Sequence, residues 1–189
     1  MIRIEAGEFR SRRLQGPRRD DRSLRPTSGR VKQILFDLLG PLTGVSHVLD
    51  LFAGAGTLGF EALSRGVARA TFVDANTRAA ALLRRNAAVL GVEERVRIVK
   101  REVLAFLGDP AEEWPLVLAD PPYAAKELET LLQCATESVT PGGRIVIEHA
   151  TDVEFDSAGF EPVRRRVIGG TTLSIFRRPA AADQEYESR

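Results

Sequence analysis

The sequence has few of the residues on which covalent or metal-based chemistry depends. It contains one cysteine, Cys134, which excludes an internal disulfide and a cysteine-based zinc site. Its two histidines, His47 and His149, stand isolated in the chain, and we interpret each as structural rather than catalytic. The sequence therefore predicts that no metal is bound and that no side chain forms a covalent intermediate.

Long apolar runs are also absent. No stretch approaches the roughly 20 apolar residues of a membrane-spanning helix. The first residues include Arg3 and Glu5 and lack the apolar core of a secretion signal. The 189 residues are 43% hydrophobic, enough for a buried core. We therefore expect a cytoplasmic protein without membrane contact.

Charge is distributed unevenly along the chain. Residues 1–32 contain ten basic and four acidic side chains, a net charge of +6, whereas the whole chain has a net charge of +1. Such a basic segment predicts a polyanionic partner, most simply a nucleic acid, although a solvated charged tail is the alternative. Phe9 is its one aromatic residue, so the segment does not indicate base stacking.

Apolar segments suited to strands alternate with segments of helical periodicity from Val45 onward. This rhythm predicts a parallel sheet with helices on both faces, and the chain ends in an antiparallel hairpin around Gly169-Gly170. The predicted strands are Val48–Phe52, Ala70–Val73, Val96–Lys100, Leu116–Ala119 and Arg144–Glu148, the last entered by a turn at 141–143. We expect a basic N-terminal extension with short strands and a helix over 1–44, a main domain over 45–178 and a frayed tail over 179–189.

A glycine-rich turn follows the first predicted strand of this sheet. The spacing of Gly54, Gly56 and Gly59 satisfies a dinucleotide-binding fingerprint, but a structural strand-to-helix turn has the same pattern. Glycines at 54 and 56 let a ligand approach the backbone closely. Asp50, on the strand before them, would repel a pyrophosphate and attract an ammonium group. The sequence therefore favours S-adenosylmethionine over a nicotinamide cofactor.

Two further acidic positions follow predicted strands. Asp74 ends the second strand, where an acid can accept hydrogen bonds from both ribose hydroxyls or cap the next helix. The segment Asp120-Pro121-Pro122-Tyr123 follows the fourth strand. Its prolines remove two backbone donors, which leaves the Asp120 carboxylate and the Pro121 carbonyl to hold the two hydrogens of an amino group. Tyr123 offers a flat face for stacking a base.

These motifs together resemble a known enzyme family. LDLFAGAGTLG with DPPY resembles class I S-adenosylmethionine-dependent amino-methyltransferases. The addition of Arg25-Pro26-Thr27 and 35–39 (LFDLL) resembles the bacterial RsmD-type family, which methylates N2 of guanine in small-subunit (16S) ribosomal RNA. The likeness covers nearly the whole chain. It implies a Rossmann-like fold with a mostly parallel seven-stranded sheet and an antiparallel C-terminal hairpin.

The resemblance also implies roles for individual residues. The methionine part of the cofactor would contact Asp50, Ala53, Gly54 and Gly56, the ribose Asp74, and the adenine Glu102 and Val103. Thr27 and Arg30 would close the pocket, and Phe52, Ala75 and Asp120 complete the predicted cofactor-binding set. The predicted catalytic residues are Asp120, Pro121, Pro122 and Tyr123, and the predicted RNA-binding residues are Arg10, Arg12, Arg13 and Arg25. Two positions depart from the family pattern, which usually has Glu at 74 and Gly-Asp at 101–102.

The expected partner is small-subunit rRNA, within an assembling ribosomal subunit, bound by a monomer. Three alternatives remain open at this stage. DPPY suits an N6-adenine methyltransferase on RNA or DNA equally well. A nicotinamide-dependent oxidoreductase fits the glycine spacing, but Asp50 and the lack of an evident proton-relay pair count against it. A nucleic-acid-binding module with a vestigial cofactor fold fits the basic segment.

Overall fold

The computed structural model describes residues 2–17, 27–109, 112–122 and 125–180. The chain divides into two compact units, Met1–Val103 and Leu104–Arg189. Within the described residues, the main sheet has seven strands and is mostly parallel, with an antiparallel pair at the C-terminal end. The predicted sheet is therefore confirmed. The domain boundaries at residues 44 and 178 stay predictions.

Three parallel strands of the first unit lie in the order β5, β4, β3. Their bounds are His47–Leu51 for β3, Arg69–Val73 for β4 and Val96–Val99 for β5. Strands β3 and β4 are buried along almost their whole length, as is typical of parallel strands. Each of the three strands agrees with its prediction to within one residue.

The helices of the first unit begin and end where capping residues permit. Their bounds are Gly29–Leu39 for α1, Thr57–Ser64 for α2 and Thr77–Leu90 for α3, and a short helix α4 covers Val103–Leu107. Ser28 Oγ accepts a hydrogen bond from Val31 N at 3.2 Å, and Asn76 Oδ1 accepts one from Arg78 N at 2.8 Å. Such N-caps contribute about 1 kcal/mol each. Across the described residues, no helix combines the length and apolarity that crossing a membrane requires.

The N-terminal segment packs against the end of helix α2. Strand β1 (Ile2–Arg3) pairs antiparallel with β2 (Arg13–Leu14), and Glu8 N donates to Ser64 O at 2.7 Å. Gly7 has a φ of +82°, and a Cβ there would collide with the backbone of Ser64. Glycine at position 7 is therefore required both by backbone conformation and by close approach.

The second unit contains the remaining four strands of the sheet. Their bounds are Trp114–Ala119 for β6, Val139–Ala150 for β7, Glu161–Ile168 for β8 and Thr171–Arg177 for β9, and helix α5 covers Ala125–Ala135. Strand β6 pairs parallel with β7, whereas β9 pairs antiparallel with both β7 and β8. The carboxyl ends of β6 and β7 therefore lie at the same edge of the sheet.

Strand β7 begins earlier than predicted. We expected a turn at 141–143 to precede a strand from Arg144 to Glu148, but β7 runs from Val139. The register passes from Trp114 opposite Val139 to Leu116 opposite Arg144. Residues 140–143 therefore form a bulge, and Gly142 takes a φ of +75° within it. Pro and Gly indicated an interruption correctly, but a bulge accommodates them without ending the strand.

Candidate functional site

The glycine-rich turn between β3 and α2 has a strained backbone. Phe52, Gly54 and Gly56 have φ values of +57°, +53° and +77°. The turn is closed by hydrogen bonds from Ala53 N to Val73 O at 3.1 Å and from Gly56 N to Ala53 O at 2.7 Å. A positive φ at a bulky residue such as Phe52 is uncommon and concentrates at functional sites. The turn therefore holds a fixed and costly conformation at the carboxyl end of β3.

Packing explains two of the three glycines. A Cβ at Gly56 would lie 2.5 Å from the Phe60 ring and 2.6 Å from a Leu83 methyl group, and one at Gly59 would collide with Phe72. We predicted that glycine at 56 serves the approach of a ligand. The structure gives it another reason, because the core behind the turn already excludes a side chain at this position.

Asp50 is buried beneath this turn, with 2% of its surface exposed. Its Oδ2 accepts a hydrogen bond from Gly59 N at 2.9 Å. The carboxylate therefore joins β3 to the first turn of α2, where a negative charge is favoured by the helix dipole. This arrangement makes Asp50 part of the framework of the turn, and its predicted contact with the cofactor stays a prediction.

Asp74 fixes the position of the turn from the neighbouring strand. Its Oδ2 accepts from Gly54 N at 2.9 Å, and its Oδ1 accepts from Asn76 N at 2.8 Å. The structure thus brings together Gly54 and Asp74, two predicted cofactor-binding residues that are 20 positions apart in the sequence. Each carboxylate oxygen has two acceptor sites, so both oxygens of the half-buried Asp74 retain one for a ligand.

The other predicted cofactor residues differ in exposure. Arg30, Ala75 and Glu102 are exposed, and Thr27 is half-buried just before helix α1. Val103 has only 2% of its surface exposed, so a contact with adenine would involve mainly its backbone. The roles of all five stay predictions.

Sequence reasoning missed Asn86, which supports the turn from helix α3. Its buried side chain donates from Nδ2 to Ala55 O at 2.9 Å and to Gln15 O at 3.0 Å, and it accepts from Gln15 N at 2.7 Å. Three hydrogen bonds to one buried amide join the N-terminal segment to the glycine-rich turn. A polar residue within an apolar helix face was the signal available in the sequence.

The structure corrects one prediction about the basic segment, the availability of Lys32 to a polyanion. We counted it among charges available to a polyanion, but its side chain is 1% exposed. Its Nζ donates to Arg3 O at 2.5 Å and lies 3.6 Å from Glu61 Oε2 and 3.7 Å from Glu5 Oε1. A buried charge requires such partners. Lys32 therefore attaches the N-terminal segment to α2. Its charge is not available to a polyanion, so the segment presents fewer exposed cations than predicted.

The described arginines of the predicted RNA-binding set lie at the surface. Arg10, Arg12 and Arg13 are exposed, and Arg12 also donates from a guanidinium nitrogen to Val89 O at 2.5 Å. Arg25 lies outside the described residues. All three lie in strand β2 or just before it, and we refer to these exposed arginines as the cationic surface.

The second predicted site begins where β6 ends. Asp120 is half-buried, Pro121 is buried and Pro122 is exposed, whereas Tyr123 lies outside the described residues. Ala119 is the register partner of Ile147, so Asp120 and Glu148 follow at matched positions on parallel strands. Asp120 therefore lies just beyond the end of β6, beside Glu148, which lies two residues before the end of β7.

Glu148 is a second residue that the sequence argument missed. Burial first and the negative charge of Asp120 second raise its pKa to about 7, although the hydrogen bond from the Thr171 hydroxyl acts in the opposite direction. Its position in an apolar strand, at the same end as Asp120, was the signal available.

The two histidines are hydrogen-bonded within the fold. His149 Nε2 lies 2.9 Å from Ser174 Oγ and its Nδ1 lies 2.8 Å from Ala150 O, while burial lowers its pKa. His47 Nδ1 lies 3.0 Å from Ser46 Oγ. Among the described residues, no group of three or more His, Cys, Asp or Glu side chains is placed to hold a metal ion.

Comparison with known families tests the interpretation of these two sites. A family model described as Conserved hypothetical protein 95 matches residues 2–177. The chain belongs to this family, the RsmD-type methyltransferases. The match includes both the glycine-rich turn and the Asp-Pro-Pro segment. It confirms the resemblance that the motifs indicated.

Individual relatives of this RsmD-type chain agree with that assignment. Ribosomal RNA small subunit methyltransferase D of Escherichia coli strain K12 is 31% identical over 98% of this chain and 94% of its own length. A solved structure described as putative methyltransferase yhhF from Escherichia coli has a TM-score of 0.83 at 29% identity, covering 95% of this chain and 98% of that one. An RNA methyltransferase from Salinibacter ruber, solved with S-adenosyl-L-homocysteine, shares the fold with a TM-score of 0.67 at 20% identity, covering 82% of this chain and 94% of that one.

Proposed function

We propose that the protein transfers a methyl group from S-adenosylmethionine to the exocyclic N2 of a guanine in small-subunit ribosomal RNA. The observation that carries this proposal is the family match over residues 2–177, which includes the strand-end acids of both units. Similarity to a protein named as a small-subunit rRNA methyltransferase supports the class of substrate. The choice of guanine N2 follows from the RsmD-type resemblance in the sequence.

The residues of the first unit suit S-adenosylmethionine. Asp74 presents two carboxylate oxygens, each fixed by one backbone amide and each with a further acceptor site. Such a pair matches the two vicinal hydroxyls of a ribose. The strained backbone of 52–56 would border the methionine part. When bound, this cofactor supplies an electrophilic methyl group on a positively charged sulfur.

The residues of the second unit suit an amine that is to be methylated. The prolines at 121 and 122 provide no backbone N–H group, so the end of β6 offers acceptors. The Asp120 carboxylate and the Pro121 carbonyl would each accept one N–H of the amino group. Holding both hydrogens in this way turns the nitrogen lone pair toward the methyl group and contributes proximity and alignment.

The cationic surface suits the backbone of a large RNA. We assign contacts with phosphates to Arg10, Arg12 and Arg13, and also to Arg25, in agreement with the sequence prediction. Such contacts would orient the RNA without reading its sequence. We expect the protein to act as a monomer in the cytoplasm, on rRNA within an assembling subunit.

The test is methylation of small-subunit particles from a strain that lacks the gene. The particles are incubated with S-adenosylmethionine carrying a labelled methyl group, and the rRNA is digested to nucleosides for mass spectrometry. We expect the label in N2-methylguanosine. Label in N6-methyladenosine would instead establish the adenine alternative, and the absence of label from every nucleoside would contradict methyl transfer to this RNA.

A further inference from the structure

Asp120 and Glu148 form a carboxyl pair at the carboxyl ends of β6 and β7. Leu118 pairs with Val146 and Ala119 with Ile147, so the next residues on the two strands continue the same register. Neighbouring parallel strands lie about 4.8 Å apart, and side chains at matched positions point to the same face of the sheet. The two carboxyl groups are therefore close neighbours on one face.

Glu148 has one satisfied oxygen and one unsatisfied oxygen. Its Oε1 accepts a hydrogen bond from Thr171 Oγ1 at 3.2 Å. Its Oε2 is buried and accepts no hydrogen bond from the described residues. A buried carboxylate oxygen without a partner is costly, and that cost falls when the carboxyl group binds a proton.

Two groups act on the charge of Glu148 from the elements packed beside it. Asp120 faces it from the end of β6 and disfavours its ionisation, while Thr171 faces it from β9 and favours ionisation through its hydroxyl. The adjacent residue on β7, His149, hydrogen-bonds instead to Ser174. The pKa of Glu148 is raised to about 7 by burial first and by Asp120 second. Near neutral pH the group can therefore both bind and release a proton.

We propose that Glu148 is a positioning residue for the reaction, which acts through Asp120 by holding the proton that the target amine releases. The inference rests on the proposed function, because it concerns the same amine. It is carried by the matched strand-end positions and by the unpaired, buried Oε2 of Glu148.

The nitrogen lone pair forms the new N–C bond, and the S–C bond breaks with its electron pair remaining on sulfur. The methylated nitrogen then loses one N–H proton to the Asp120 carboxylate that accepts its hydrogen bond. This proton passes to the Glu148 carboxylate beside it, and water removes it after product release. Asp120 thereby returns to the ionised form that accepts the next amine.

A carboxyl pair is better suited to this task than one carboxylate. An ordinary aspartate has a pKa near 4 and holds a proton poorly at neutral pH. A neighbour with a raised pKa holds that proton while Asp120 remains an acceptor. The reaction should therefore need ionised Glu148, and its rate should rise with pH through about 7.

The test compares single-turnover methylation rates between pH 5.5 and 8.5 at saturating S-adenosylmethionine. Glu148→Gln retains an acceptor for Thr171 but cannot titrate. We expect its rate to be roughly 10- to 100-fold lower above pH 7 and nearly independent of pH, with unchanged cofactor affinity. Thr171→Val removes the hydroxyl that favours ionisation, so the rise in rate should shift to higher pH.

The matched control is Glu161→Gln. Glu161 is the first residue of β8 and lies opposite Arg177 of β9, which is itself opposite Arg144 of β7, whereas Glu148 lies opposite Leu173. The Glu161 carboxyl group is therefore distant from Glu148 along the strands. Its variant should keep the wild-type pH profile. A wild-type profile in Glu148→Gln, or a wild-type rate that falls as pH rises through 7, would overturn the inference while leaving the proposed function standing. A wild-type protein that methylates no RNA would instead refute both.

Discussion

Asp50 and Asp74 of the first unit differ from Glu148 of the second unit in their hydrogen bonds. Asp50 and Asp74 accept backbone amides from the turns beside them, at 2.8–2.9 Å. Glu148, by contrast, retains a buried oxygen that no described residue pairs, and its pKa is raised to about 7. Acids of the first kind shape a binding surface that is fixed in advance, whereas an acid of the second kind is ready to exchange a proton. This difference agrees with the proposed function, in which the first unit binds the cofactor and the second unit holds the amine.

The largest effect that separates the two regions should come from Asp120→Ala. This change removes one of the two acceptors that hold the amine, and we expect the methylation rate at saturating cofactor to fall by roughly 1,000-fold or more. The affinity for S-adenosylmethionine, measured by calorimetry, should stay within about threefold of the wild-type value, since Asp120 is one of many predicted cofactor contacts and the ribose is bound by Asp74. Equal losses in affinity and rate would contradict the proposal that the first unit binds the cofactor and the second unit acts on the amine.

Asp74→Ala should have the converse effect. It removes the predicted ribose acceptors and the partner of Gly54 N, so the affinity for S-adenosylmethionine should fall about 10- to 100-fold, as for hydrogen bonds to a charged group. Because the loss is in binding, saturating cofactor should restore most of the rate. Asp74→Asn, which keeps one acceptor oxygen, should have an intermediate affinity. An unchanged affinity in Asp74→Ala would remove this residue from the cofactor site.

Asn86→Ala tests whether the turn of the first unit is held in place by the hydrogen bonds behind it. The change leaves Ala55 O and both backbone groups of Gln15 without their amide partner, and we expect a loss of about 2 kcal/mol in the free energy of unfolding. Urea denaturation measures the loss. Arg85→Ala, on the exposed side of the same helix, serves as the control and should change stability by less than about 0.5 kcal/mol.

The smallest effect concerns stability and pH, and it needs no substrate. The pKa of Glu148 is about 7 in the folded protein and 4.5 in its ordinary state. Between these pH values the folded chain binds more protons than the unfolded chain, so the raised pKa makes the free energy of unfolding fall as pH rises. The free energy of unfolding of wild type should therefore fall between pH 5 and pH 8 relative to that of Glu148→Gln, by on the order of 1–2 kcal/mol. The same difference at both pH values would show that Glu148 has an ordinary pKa.

Much of the fold could be predicted because local pattern and tertiary structure agree. Helix α3 has its predicted bounds, Thr77–Leu90, because Asn76 and Gly91 cap it at both ends. The start of β7 could not be predicted in the same way. Whether 141–143 ends a strand or bulges within it depends on pairing with β6, and this pairing lies outside the segment itself.

Residues of the candidate site could be predicted only where one short motif supplies both the chemical groups and their spacing. The glycine spacing and Asp-Pro-Pro are local signals, and they led to the family. Asn86 and Glu148 belong to no motif, because their roles come from partners 31 and 23 residues away. Lys32 shows the opposite error, since a charge counted from sequence as exposed is buried against Glu61. Composition predicts a charged segment but does not predict which of its charges the fold uses.

The most direct test of the division between the two regions is the single-turnover rate of methyl transfer at saturating S-adenosylmethionine, measured for Asp74→Ala and Asp120→Ala on one preparation of ribosomal particles. The account predicts a rate within about fivefold of wild type for Asp74→Ala and a loss of roughly 1,000-fold or more for Asp120→Ala. A rate within tenfold of wild type for Asp120→Ala, or a loss in Asp74→Ala that saturating cofactor does not relieve, would contradict it.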